Sequence, residues 1–225
     1  MIRRATVSFA DKPCILGEEQ DGSSWKDAQS LCVDNVLPDS SNHTPRTMVK
    51  ILYDRDNLYL HYTVKDRYVY AVHTNYQDPV CRDSCVEFFV QPRNDCGYFN
   101  FEVNCIGTLL LHYQESAAGG FGQKELKENI PFDKGESVEI ETSIKKPVTG
   151  EICDDIEWRA AMRIPVKLME DYVGSLAPLR GSAWRANFYK CGDNTSHPHW
   201  ISWSPMPPGK PNFHIPSAFG EIKLA

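Results

Sequence analysis

Residues 98–105 alternate without interruption, with Phe99, Phe101, Val103 and Cys105 on one side of an extended chain and Tyr98, Asn100, Glu102 and Asn104 on the other. That period of two predicts a strand with one core face and one polar face. Residues 156–164 repeat it, with Trp158, Ala160, Met162 and Ile164 as the inward row. Residues 47–54 and 58–65 are two β-rich runs joined by Arg55-Asp56-Asn57, a hairpin signal. Residues 86–91, 108–113, 138–144 and 184–189 supply further strands, the first ended by Pro92 and a polar loop. Only residues 166–172 and 24–31 carry a helical pattern, and both are short. The expected fold is all-β: an antiparallel sandwich, immunoglobulin-like or jelly-roll-like, with one or two short helices. Phe99, Phe101, Val103, Trp158, Ala160 and Met162 should lie between its sheets.

A chain of 225 residues fits one large β domain spanning residues 1–225, with no repeat or linker. The Ala/Gly-rich stretch 116–122 is expected to be a long mobile loop rather than a boundary.

The same alternation raises a difficulty at residues 85–90. If Val86, Phe88 and Val90 face the core, Glu87 faces away together with Cys85 and Phe89, and Phe89 should not be left wet. Either a loop covers that ring or the strand is buried on both sides. The tail offers a cover, because residues 199–205 and 211–220 pack aromatic, histidine and proline residues into a stiff, irregular segment. It reads as a recognition surface or as a hydrophobic strap over the last strand.

Two polar rows, Asn100/Glu102/Asn104 and Arg185/Asn187/Tyr189, would form one hydrogen-bonding face if their strands were neighbours. Such a face suits a polyhydroxylated ligand, and Trp200, Trp203 or Phe213 could supply the flat apolar partner for a sugar ring. An ordinary solvated sheet face is the alternative. The site residues expected on this reading are Glu87, Asn100, Glu102 and Asn187 as polar contacts, Trp203 or Phe213 as stacking platform, and His214 beside them. Glu87 and Glu102 could instead be a glycosidase pair, which needs a carboxyl separation of roughly 5 Å or of about 6.5–9.5 Å. No Gly-x-Ser-x-Gly elbow or phosphate-binding glycine loop is present, and no catalytic residue is assigned.

A formal net charge of −6 with interspersed signs argues against nucleic acid and anionic membranes as partners. No apolar run is long enough to cross a bilayer, and Met1-Ile2-Arg3-Arg4 leads into polar sequence, so a cytoplasmic location is expected; an exported chain whose leader has been removed would read the same. The eight cysteines are then expected to be reduced, Cys85 and Cys191 in particular. Cys191 with His197 and His199 could supply three metal ligands, but loop histidines flanking a proline read better as hydrogen-bonding residues, and no metal site is assigned.

Taken in order, Lys50-Ile51-Leu52-Tyr53-Asp54 with Asn57-Leu58-Tyr59-Leu60, then Asp83-Ser84-Cys85-Val86-Glu87-Phe88-Phe89, then residues 98–104, Ile201-Ser202-Trp203-Ser204 and Pro216-Ser217-Ala218-Phe219-Gly220 resemble the family 9 carbohydrate-binding modules. Those share a β-sandwich related to DOMON-type domains, and the resemblance runs from about Trp25 to the C-terminus. It implies non-catalytic recognition of sugar ends in polysaccharide use, a ring held between two tryptophans, and often structural calcium; no other cofactor is expected. Carried over, the first tryptophan falls where this chain has Val80-Cys81, the second at Phe213, the sugar-binding acid at Glu87, and an expected arginine at Glu102. The alternatives are a glycoside hydrolase or hydrolase-associated protein using Glu87 and Glu102, and a haem-binding DOMON-like domain using Met162 or Met206 with a histidine.

Overall fold

The computed structural model describes residues 2–17, 24–115 and 126–225; the loop expected at 116–122 lies outside them. The strands are β1 (Arg4–Phe9), β2 (Ser30–Val33), β3 (Asn35–Val36), β4 (Arg46–Tyr53), β5 (Asn57–Asp66), β6 (Val69–Ala71), β7 (Cys85–Gln91) and β8 (Tyr98–Asn104). They continue as β9 (Leu109–Glu115), β10 (Leu126–Asn129), β11 (Glu139–Thr142), β12 (Val148–Ile152), β13 (Ile156–Pro165), β14 (Ala183–Cys191), β15 (Trp200–Ser202) and β16 (Gly220–Leu224). Two short α-helices, α1 (Phe132–Gly135) and α2 (Val166–Val173), and three 3-10 turns (Ser24–Asp27, Val80–Arg82 and Pro216–Ala218) complete the described elements. Where a helix is expected at 24–31, a single 3-10 turn (Ser24–Asp27) is followed by β2. The period-two burial of Leu31 and Val33 is better satisfied by pairing with β4 than by a helix of under three turns.

Fourteen of the described strands form one curled sheet with two layers, and β6 and β12 pair as a separate two-stranded sheet. One layer runs β10-β9-β8-β7-β14-β16-β1, and the other continues β1-β4-β5-β13-β11. The junction is β1, whose first half pairs with β16 (Arg4 to Val7 against Glu221 to Leu224) and whose end pairs with β4 (Ser8 and Phe9 against Leu52 and Tyr53). Both pairings are parallel, which corrects the purely antiparallel expectation. The first described strand joins the last in the chain, a contact between remote segments that hairpin signals do not encode.

The inward rows meet between the layers. Phe99, Phe101, Val103, Trp158, Ala160 and Met162 belong to one buried cluster with Val86, Phe88, Val90 and Phe188. Burying each large side chain contributes about 1.5–3 kcal/mol. Tyr62 of β5 ties the layers together by donating from Oη to the Glu87 carbonyl at 2.7 Å. One cation also faces inward, because β14 alternates with Phe188 and Lys190 toward the core. Lys190 Nζ donates to the Cys191 carbonyl at 2.9 Å, lies 2.7 Å from His199 Nε2, and is 3.4 Å from Asp66 Oδ2. Asp66 in turn accepts from Trp158 Nε1 at 3.0 Å and is 2.8 Å from His43 Nε2.

Candidate functional site

The outer face of the first layer is the other half of the alternation: Cys85, Glu87 and Phe89 on β7, Asn100 and Glu102 on β8, His112 on β9, Asn187, Tyr189 and Cys191 on β14. Register sets Glu87 directly opposite Glu102 on one side and Tyr189 on the other, and Cys85 opposite Cys191. This face is not solvated. The C-terminal segment crosses it, and Phe213 and Phe219 join Phe89, Tyr98 and Tyr189 in a second apolar cluster with Leu37, Val80 and Leu110. The difficulty at Phe89 resolves both ways at once: a loop covers the ring, and every residue of β7 is buried.

Between strap and sheet remains a cleft of about 330 Å³, at the small end of ligand pockets, where Glu87, Glu102, His112, Trp200, Phe213 and His214 converge. Phe213 is fixed by stacking on Tyr189, with centroids 4.0 Å apart and planes 14° from parallel, and its carbonyl accepts from Tyr189 Oη at 3.1 Å. Trp200 opens β15 half-buried, with its ring oriented by donation from Nε1 to Asp193 Oδ1 at 2.8 Å. His214 Nδ1 lies 3.0 Å from Gln114 Nε2 and 2.9 Å from Tyr98 Oη. Burial, then the Lys127 charge, lowers His214 to about 4, so its ring is neutral near pH 7. Burial and then the same charge lower His112 to about 4 as well.

The two carboxyls dominate the electrostatics. Burial, then the neighbouring Glu102 and Asp193, raises Glu87 well above the usual carboxylate range. Burial likewise raises Glu102, against the opposing pull of its Asn100 hydrogen bond and of Lys127. Two buried carboxyls on adjoining strands resist ionising together, so the pair holds a proton that a ligand hydroxyl can meet as donor or acceptor.

Four of the expected residues, Glu87, Glu102, Phe213 and His214, thus line one cleft. Asn100 stands behind them, fully buried, donating from Nδ2 to Glu102 Oε1 at 2.7 Å. Asn187 does not reach the cleft: its Nδ2 donates to the Ser204 carbonyl at 3.2 Å and its Oδ1 accepts from Ser204 N at 2.8 Å, which pins the strap. Trp203 is corrected outright. It is 2% exposed, packs edge-on against Phe188 at 5.4 Å, and lies so close over Gly220 that a Cβ there would come within 2.4 Å of its ring. Alternation along 200–203 decides this, sending Ile201 and Trp203 to the core and Trp200 outward.

A larger open hollow, about 750 Å³, lies by His43, Asp66, Tyr68 and His197. Tyr68 and His197 stack on each other at 3.7 Å, and the Asp66 carboxylate is occupied by His43 and Trp158, so these groups are already engaged. The trio Cys191, His197 and His199 does not assemble as a metal set, because His199 Nε2 is turned to Lys190 on the core side while Cys191 lines the cleft. The ordered carboxylates Asp54 and Asp83, groups of the kind the calcium implied by the resemblance would use, are engaged by protein donors. Asp54 accepts from the Asp56 and Asn57 amides and from Tyr59 Oη, while Asp83 accepts from His73 N and Asn104 Nδ2. Met162 is buried in the core, and Met206 Sδ accepts from Asn187 and Tyr189, so neither methionine stands as a haem ligand.

The sequence model of carbohydrate-binding family 9 matches residues 23–224. The chain belongs to that family. A candidate carbohydrate-binding protein from Bacteroides uniformis shares its structure at TM-score 0.84 and 29% identity, over 100% of both chains. A family 9 module from Caldicellulosiruptor kristjanssonii, solved with glucose, aligns at TM-score 0.63 and 17% identity, over 99% of this chain and 96% of the other. The same organism's module with cellotriose gives 0.62 and 17%, over 99% and 93%. No curated protein matches. In this chain Trp200 enters the cleft from β15 beside Phe213, Glu87 and Glu102.

Proposed function

We propose that this family 9 protein binds a sugar ring non-catalytically in the cleft, stacked on Phe213 or Trp200 and hydrogen-bonded by Glu87 and Glu102. The observation that carries the reading is the convergence of two fixed aromatic rings and two buried carboxyls in a space suited to a small ligand. The Caldicellulosiruptor kristjanssonii modules hold glucose and cellotriose, which makes a glucose-type chain end the first ligand to test and polysaccharide use the natural setting. In this reading the curled two-layer sheet is the jelly-roll-like sandwich of the family. Hydrolysis is disfavoured by placement. Glu87 and Glu102 rise side by side from adjoining strands on one sheet face, whereas a hydrolase needs its carboxyls on either side of the scissile bond.

With phenylalanine in place of one tryptophan and the other position lost, binding should be weak, about 0.1–1 mM, or roughly −4 to −5.5 kcal/mol. Calorimetry with mono- and oligosaccharides on wild type, Phe213→Ala and Trp200→Ala tests this. Loss of about 1 kcal/mol in at least one variant is expected. A wild type that binds sugar while both variants bind equally well would mean the site is misplaced, and silence across a broad glycan panel would mean a scaffold that has lost its ligand.

A further inference from the structure

The cleft floor carries two thiols that sugar binding does not use, beside a carboxyl that it does. Cys85 and Cys191 stand opposite each other on β7 and β14, and Glu87 projects from the same face one pleat along. One ligand atom from each, two Sγ and a carboxylate oxygen, all lie within 4.8 Å of one another. Cys191 Sγ is 3.1 Å from Glu87 Oε1. A tetrahedral zinc ion, with sulfur at about 2.3 Å and oxygen at about 2.0 Å, spaces its ligand atoms by about 3.5–3.8 Å. The three donors can therefore close on an ion by small side-chain rotations, without moving the strands. All three residues are buried on paired strands, while Glu87 and Cys191 also border the cleft, which gives an ion its entry path and a fourth position open to water.

We propose that Cys85, Cys191 and Glu87 form a site for a thiophilic divalent cation, Zn²⁺ being the natural occupant. Two sulfurs and one carboxylate select a borderline-soft ion over Ca²⁺ or Mg²⁺, which require oxygen shells. On binding, the two thiols become thiolates and their protons pass to solvent, Glu87 ligates as the carboxylate with the proton of the carboxyl pair kept on Glu102, and no electron is transferred. The site shares Glu87 with the sugar reading but not the two thiols, and occupancy is measured with the metal alone, so the two readings fail separately.

The test uses the full reduced chain freed of metal and titrated with Co²⁺. A near-ultraviolet thiolate-to-cobalt band saturating at one ion per chain, and displaced by Zn²⁺, is expected. Cys85→Ser and Cys191→Ser should each weaken binding at least tenfold, while the exposed Cys153→Ser leaves it unchanged. Should either core variant fail to fold by circular dichroism, zinc-edge X-ray absorption on the wild type decides instead, with two sulfur and two oxygen neighbours expected. Absence of the band, a zinc shell of nitrogen and oxygen only, or a band that survives in folded Cys85→Ser and Cys191→Ser would overturn the proposal.

Discussion

Two buried charged centres flank β7 and β14, and they are built on opposite plans. On the core side, Lys190 meets Asp66, His199 and a carbonyl, and every oxygen of Asp66 is engaged by His43, Trp158 or Lys190. Burial alone would raise Asp66, but Lys190 and the hydrogen bonds from His43 and Trp158 outweigh it and hold the group far below its usual range. On the cleft side, Glu87 faces Glu102 across the β7–β8 pairing, and both are raised. Opposite charges with saturated hydrogen bonds hold the layers together. Like groups buried beside open space are destabilising and persist where a ligand can use them.

Acidification should give the largest effect. Burial lowers His61 and His112 to about 4 and His199 to about 3, with Arg159, Lys127 and Lys190 respectively adding to the shift. Between about pH 6.5 and 4 the unfolded chain binds protons that these folded histidines refuse, so their share of the stability is complete above pH 6.5 and falls as pH drops through that window. Each takes away about 2–3 kcal/mol by pH 4.5 and His214 adds a fourth such loss, while the raised Glu87 and Glu102 take up protons ahead of the unfolded chain and offset part of it, leaving a net loss on acidification. The depressed Asp66 adds a loss in the same direction, beginning below its unfolded value near 4. Urea unfolding across pH checks this; a flat profile from pH 7 to 4.5 would remove the neutral-histidine account of both centres.

Next in size is Lys190→Met, which leaves Asp66 buried without its cation. A loss of about 3–5 kcal/mol in urea unfolding is expected, and the double variant with Asp66→Asn should recover part of it. An effect under about 1 kcal/mol would erase the contrast between the centres. Glu102→Gln should do the reverse on a smaller scale. Removing one of two like carboxyls is expected to raise stability by about 1 kcal/mol while weakening sugar binding, a stability–function exchange read by urea unfolding and calorimetry on one sample. If Glu102→Gln destabilised the fold, the pair would be structural rather than reserved for a ligand.

Much of this was legible in residue order. Alternation at 98–105 and 156–164 identified the core rows, and the same rule placed Glu87 and Glu102 on one non-core face. It also posed the right question at Phe89. Trp203 and Asn187 went astray because aromatic and amide side chains look alike in sequence whether they face a ligand or hold a strap. Alternation applied to 200–203 separates them, but only once the pairing of β15 with β14 fixes which side is inward.

The sequence by itself determined the strand pattern, the buried rows and the chemistry available on each face, because side-chain period and turn chemistry are local. Tertiary structure decided the rest: the parallel joining of the chain's first described strand to its last, the inward Lys190 and its partner Asp66, the convergence of Trp200 and Phe213 on the carboxyl pair, and the meeting of Cys85 with Cys191. Each is a contact between segments far apart in the chain. Such contacts are set by which strands become neighbours and in what register, a choice made by the energy of the whole packed molecule rather than by any one segment.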